Sequence, residues 1–156
     1  MTKDEYYINI AREVSKASKC RRSHFGSVIV KNDAIIGTGY NGPARGIPHC
    51  DPCRRADCGP GIGYERCNAV HAEVNGVIQA GGRQGCLGAT MYMGSHNRKY
   101  DGTTYNATMG DFPCNNCARV IVNAGIEWFV QAEVRGGKEC IVRYNIPELV
   151  RQGKLI

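Results

Sequence analysis

Apolar positions along this chain fall either at helical spacing or in short continuous runs, with polar and glycine-rich stretches between them. Between residues 4 and 18, Tyr7, Ile10, Ala11, Val14 and Ala17 recur on one helix face, which predicts an amphipathic first helix. Residues 26–30 (GSVIV) and 34–40 (AIIGTGY) read as strands, and Lys31, Asn32 and Asp33 between them are turn material, so the two form a hairpin. Residues 41–68 carry no period and read as one long loop, a feature uncommon in compact domains unless it is functional or tied down. A helix is expected over about 70–80, stopped by Gly81 and Gly82. Residues 89–93 (ATMYM) form the next strand, and a polar loop follows to 112. Residues 114–124 are helical, with Pro113 ahead and Gly125 closing, and 126–130 is a buried strand. Beyond Gln131 the pattern weakens to a strand at 140–144 and a helical turn at 147–152. This order predicts an α/β sandwich with a mixed sheet, in one domain spanning residues 1–156.

Composition narrows the picture. With 42% hydrophobic and 22% charged residues the chain is an ordinary globular one, which excludes a disordered tail or a fibrous repeat. No apolar run approaches the ~18 residues of a membrane helix. Charges stand where the apolar core of a signal peptide would be, so neither membrane nor export is expected and the location predicted is cytoplasmic. Twenty basic against fourteen acidic residues give a net charge of +6, which suits a phosphate-bearing small molecule or a nucleic acid and decides between neither. The 20 glycines exceed the usual share, and the reading places the excess in loops. Nine cysteines, an odd number clustered at short spacings, argue against a disulfide framework and for metal ligation.

Two motifs carry the chemistry. His71, Ala72 and Glu73 open one predicted helix, and Pro113, Cys114 and Cys117 open the next. Two thiols three positions apart at a helix start face one way and can share an ion, with His71 as a third ligand. Helix N-termini favour thiolate over thiol. Glu73 stands two positions beyond the histidine, placed to move a proton rather than to bind metal. A lone C-x-x-C fits a redox pair or half of a structural zinc site as well. The two halves together, as H-x-E with P-C-x-x-C, match the known signature of zinc nucleobase deaminases.

The segments GSVIVKNDAIIGTGYNG (26–42), RGIPHC (45–50), HAEVNGVIQA (71–80) and PCNNCARVIVNAGI (113–126) resemble the cytidine/deoxycytidylate deaminase family, and its deoxycytidylate branch in particular, over about residues 5–130. The resemblance implies a cytidine-deaminase-like three-layer sandwich, with a mixed five-stranded sheet and helices on both faces. It also implies a homo-oligomer, commonly a hexamer. Position by position, it makes His71, Cys114 and Cys117 ligands of a catalytic Zn2+ and Glu73 the proton shuttle, and it sets Asn41 against the sugar. A turn-stabilising amide fits Asn41 equally. The backbone around Ala72 and Glu73 could read the pyrimidine edge. Arg21, Arg22 and Ser23 could grip a 5′-phosphate or form a solvated basic turn.

Relatives of the deoxycytidylate type also carry a second, structural zinc in the corresponding loop. The spacing C-x2-C-x4-C-x8-C makes Cys50, Cys53, Cys58 and Cys67 the simplest ligand set, with His49 or Cys20 able to displace one member. The alternative is a loop of free cysteines. Cys86 and Cys140 stand apart and read as buried small residues. The chain departs from the branch at residues 94–112, where Asn97, Arg98, Lys99, Tyr100, Asp101 and Tyr105 lie in an inserted loop that bears on the substrate's identity.

The function expected is hydrolytic conversion of dCMP to dUMP: water activated by zinc attacks C4, Glu73 relays the proton and ammonia leaves. No organic cofactor is needed, and the resemblance leaves activation by dCTP and inhibition by dTTP open. The alternatives are deamination of another nucleotide, a modified base or a polynucleotide, and, outside enzymes, a zinc-stabilised binding module. Aromatics at 8% and scattered basic residues disfavour a polynucleotide, and a non-ligand glutamate beside the metal disfavours an inactive module.

Overall fold

The computed structural model describes residues 1–59, 62–96 and 113–155. Helix α1 (Lys3–Ser15) begins at a capping box, in which the Thr2 hydroxyl accepts from the Glu5 N–H and the Glu5 carboxylate accepts from the Thr2 N–H. Strands β1 (Gly26–Lys31) and β2 (Ala34–Tyr40) pair antiparallel about Asn32 and Asp33, both left-handed. Two residues of β3 (Gly42–Pro43) pair with two of β4 (Ala69–Val70) and draw together the ends of the long loop. Helix α2 (Ala72–Gln79) follows. A shorter helix, α3 (Gly82–Cys86), comes next, so the glycine pair turns the chain rather than ending helical structure.

Strand β5 (Thr90–Gly94), helix α4 (Asn115–Ala124), strands β6 (Trp128–Arg135) and β7 (Lys138–Asn145), and helix α5 (Ile146–Arg151) complete the described chain. The strands form one five-stranded mixed sheet in the order β2-β1-β5-β6-β7, parallel only between β5 and β6. Beyond Gln131 the structure holds more order than the pattern predicts, with β6 and β7 forming a hairpin of eight residues a side. Strand β6 keeps an apolar face of Trp128, Val130, Ala132 and Val134, but β7 mixes polar and apolar residues on both faces, which hides the period-2 signal there.

Alternate residues of the strands feed two cores. Val28, Val30, Tyr92 and Val130 pack under α1 with Tyr7, Ile8 and Ala11. Ile29, Met91, Met93 and Phe129 face the other way, into α2 and α4 at Ala72, Val77 and Ile121. The helices therefore lie on both faces of the sheet.

Glycine sets how closely they lie. A β-carbon on Gly26 would come within 2.6 Å of the Ser15 amide nitrogen, and one on Gly94 within 2.6 Å of that of Arg12. Gly26 and Gly94 are cross-strand partners, so α1 rests its backbone on a bare patch of sheet. This contact selects small residues, and Tyr7, Ile8, Ala11 and Ser15 form the buried face of α1. The predicted stripe is displaced accordingly: Ile10 and Val14 are half-buried, and Ala17 lies exposed past the helix end. On the opposite face α2 packs as closely on Gly37 and Gly39 of β2. Several glycines counted towards loops thus serve helix–sheet contact. Cys86 is buried as expected, whereas Cys140, on the edge strand β7, is half-buried. Among the described residues no helix is long and apolar enough to cross a membrane.

Candidate metal centre and substrate cleft

His71 is the N-cap of α2 and Cys114 the N-cap of α4. Because the two helices pack side by side on one face of the sheet, their starts meet. The His71 Nδ1 lies 3.5 Å from the Cys114 Sγ and 3.3 Å from the Cys117 Sγ, and all three ligand atoms fall within 4.8 Å of one another. Bond lengths of about 2.3 Å to sulfur and 2.05 Å to nitrogen in a tetrahedron place such atoms about 3.5 Å apart, so the trio fits zinc. Two soft thiolates and an imidazole are also the donors that zinc prefers.

The electrostatics suit a cation. The Cys117 N–H donates to the Cys114 Sγ at 3.4 Å, so the sulfur caps its own helix. Hydrogen bonds from Cys117 and His71 pull the Cys114 thiol down to about 4, while its bond to Cys114 pushes Cys117 up. The same contact with Cys114 raises His71. Glu73 is not part of the ligand trio. Burial pushes its carboxyl above the ordinary range, against the pull of its own backbone N–H and of His71. A carboxyl raised in this way holds a proton more readily than an exposed one does.

His71, Glu73 and Cys114 line a cleft of about 660 Å³, with Cys117 buried behind them. Ala72 and Pro113 line it too, as do Phe129 and Gln131 of β6. Ala72 is tied to the sheet through its backbone. Its carbonyl accepts from the Ser27 Oγ at 2.7 Å on the sheet side, which leaves the first-turn N–H groups, and not this carbonyl, for a ligand.

Asn41 also lines the cleft, 8% exposed. Its amide is committed in both directions: Nδ2 donates to the Ser23 carbonyl at 2.9 Å, and Oδ1 accepts from the Phe25 N–H at 2.8 Å. The structure thus gives Asn41 the turn-stabilising work directly. Ser23, Arg21 and Arg22 all border the cleft. Arg21 pairs with Asp51 at 2.9 Å, and Arg22 donates to the carbonyls of Arg55 and Cys58.

The extra cysteines divide. Cys20, His49, Cys50, Cys53 and Cys67 line the cleft, but Cys58 does not: its sulfur meets the Arg66 guanidinium, which also pairs with Asp57 at 3.3 Å. Cys50, Cys53, Cys58 and Cys67 are therefore not gathered as one ligand set, and among the described residues only His71, Cys114 and Cys117 form such a group. The residues of the inserted loop singled out in the sequence, 97–101 and 105, lie outside the described residues.

Two residues escape the sequence reading. Arg55 and Tyr64 line the cleft beside His71, with the Arg55 guanidinium 3.8 Å over the Tyr64 ring. The available signal was a run of two arginines inside the cysteine cluster, and charge alone does not reveal that one of them is buried.

The model of the cytidine and deoxycytidylate deaminase zinc-binding region matches residues 1–133. The chain belongs to this family. A deoxycytidylate deaminase of Mycobacterium phage D29 is 36% identical over 131 residues, covering 80% of this chain and 89% of the relative. One from Saccharomyces cerevisiae is 29% identical over 132 residues, 83% of this chain but only 37% of the yeast protein. Among solved structures, the dCMP deaminase of cyanophage S-TIM5 in complex with dCMP and dUMP superposes with a TM-score of 0.58 at 23% identity, covering 84% of this chain and 82% of that one. That likeness establishes the deaminase fold, with its mixed five-stranded sheet.

Proposed function

We propose that this deaminase converts dCMP and water to dUMP and ammonia. The observation that carries the reading is the gathering of His71, Cys114 and Cys117 beside a half-buried, non-ligating Glu73 that lines a nucleotide-sized cleft. Membership of the family and the 36% identity to a phage deoxycytidylate deaminase support the same substrate.

His71, Cys114 and Cys117 hold the zinc. When bound, the metal supplies a Lewis acid that makes water nucleophilic near neutral pH. Glu73 takes the water's proton, delivers it to N3 of the ring, and then serves the leaving amine. The helix-start N–H groups of Ala72 and Glu73 orient the pyrimidine edge. Asn41 holds residues 23–25 against the sugar side of the cleft. A second zinc steadies the 41–68 loop; Cys50, Cys53 and Cys67, which border the cleft with Cys20 and His49, are better placed for it than Cys58. The enzyme works in the cytoplasm as a homo-oligomer, in the manner of hexameric relatives, on a free nucleotide rather than a polynucleotide.

Ammonia release from zinc-loaded protein tests this across dCMP, CMP, deoxycytidine, purine nucleotides and a cytosine-containing oligonucleotide. dCMP is expected to turn over fastest. Preference for the oligonucleotide or for a purine would overturn the assignment.

A further inference from the structure

Among the described residues four arginines border the cleft, and three are committed within the protein. Arg12 pairs with Glu139 at 2.7 Å and Arg21 with Asp51 at 2.9 Å. Arg22 uses both terminal nitrogens on carbonyls, those of Arg55 at 2.5 Å and Cys58 at 3.2 Å. Arg55 differs. It is 6% exposed, and among the described residues no carboxylate pairs with it. Its Nε donates to the Ile62 carbonyl at 2.9 Å, and its guanidinium carbon sits 3.8 Å from the centre of the Tyr64 ring. Arg55 is a lining residue of the cleft, and among the described residues the hydrogen bond from Nε is the only one its side chain makes.

A cation withdrawn from water without a counter-ion is costly, and one carbonyl and one ring offset only part of that cost. The arrangement is stable in proportion to how well an anion completes it. A guanidinium fork matches two phosphate oxygens at once, which neither a lone ammonium nor a helix start does. Position agrees. Tyr64, whose ring carries Arg55, also meets His71 edge-on, with ring centroids 6.5 Å apart and planes at 61°. Arg55 and His71 therefore contact one and the same aromatic ring.

We propose that Arg55, rather than Arg21 or Arg22, receives the 5′-phosphate of the substrate, with Tyr64 fixing its distance from the metal centre. The inference rests on the nucleotide reading above. Arg22 is a positioning residue here, since it holds the carbonyl of the residue that binds.

The test compares R55Q and R55K with the wild type, all zinc-loaded, in turnover of dCMP and deoxycytidine and in calorimetric binding of dUMP and deoxyuridine. Losing a charge-assisted fork should raise KM for dCMP and Kd for dUMP by roughly 10- to 100-fold. Deoxycytidine kcat/KM and deoxyuridine binding should stay within about twofold, and R55K should recover part of the dUMP affinity. An equal loss for nucleotide and nucleoside would make Arg55 a brace for the loop and overturn the proposal, as would an unchanged preference for the phosphorylated ligands. If R55Q does not fold, R55K alone decides by the same ratio. Should the wild type turn over neither compound, the proposed reaction falls, while dUMP binding still judges Arg55.

Discussion

The Ser27 hydroxyl, on β1, donates to the carbonyl of Ala72 at 2.7 Å, the residue that separates His71 from Glu73. The bond forms because Gly39 and Gly76 carry no side chain: a β-carbon on Gly39 would collide with the Gly76 nitrogen and the Ala72 oxygen, and one on Gly76 with the Ser27 hydroxyl. The sheet thus grips the first turn of α2 by its backbone. Gly39→Ala should destabilise the fold by about 1–3 kcal/mol through overpacking. It should cut kcat by a larger factor than the stability loss implies, since His71 and Glu73 ride on the displaced turn. Urea melts and steady-state rates on one preparation check this; a normal kcat in a destabilised protein would count against it.

Glu73 is the residue whose loss should separate binding from chemistry. Glu73→Gln keeps the volume and removes the exchangeable carboxyl. Zinc content is expected to stay at the wild-type level while kcat falls by at least ~10²–10⁴-fold. A loss of under tenfold would assign the proton transfer elsewhere.

The ligand trio predicts a metal inventory. Cys114→Ser should lose the catalytic zinc, read by elemental analysis after gel filtration, because a serine hydroxyl does not replace a thiolate at this centre. Cys53→Ser should lower the total by one further ion and reduce the melting temperature with less effect on kcat. Cys58→Ser should do neither, because the Cys58 sulfur is engaged with Arg66. Equal effects of the Cys53 and Cys58 changes would restore the four-cysteine set.

Three buried tyrosines predict an alkaline limit to stability. Tyr7 donates to Asp33 at 2.7 Å, Tyr92 to Asp4 at 2.9 Å, and Tyr144 to the buried Glu133. Each phenol is pushed up to about 12, Tyr7 chiefly by its carboxylate partner, Tyr92 and Tyr144 chiefly by burial. A folded value above the unfolded one near 10 means that the neutral phenol is favoured in the fold. The contribution is complete below pH ~10 and is lost as pH rises towards ~12. Urea midpoints should therefore hold steady to about pH 10 and fall beyond it, less steeply in Tyr144→Phe. A midpoint that falls equally in both would exclude Tyr144.

What could be read in the sequence follows from what leaves a periodic trace. The hairpin at Asn32 and Asp33, α4 with Gly125 at its end, and strand β5 were legible because turn residues and apolar runs mark them locally. The ligand spacing of Cys114 and Cys117 was legible for the same reason, being local. The buried face of α1 was not, because Gly26 and Gly94 choose it from across the sheet. Strand β7 was read short because Glu139, Cys140 and Arg143 break its alternation. Arg55 was invisible because burying a charge depends on Tyr64 and Ile62, residues that no pattern connects to it.

The metal centre joins positions 43 residues apart, His71 to Cys114, with β5 and the turn from α3 enclosed between them. In topological terms it is a crosslink, closing a loop that the unfolded chain would leave open. Such a closure acts mainly on the denatured ensemble, and it scales with the free metal concentration rather than being fixed by covalent chemistry. The thermal endurance of this protein should therefore track the zinc supplied to it, and a chelator should affect it much as a reductant affects a domain held by disulfides.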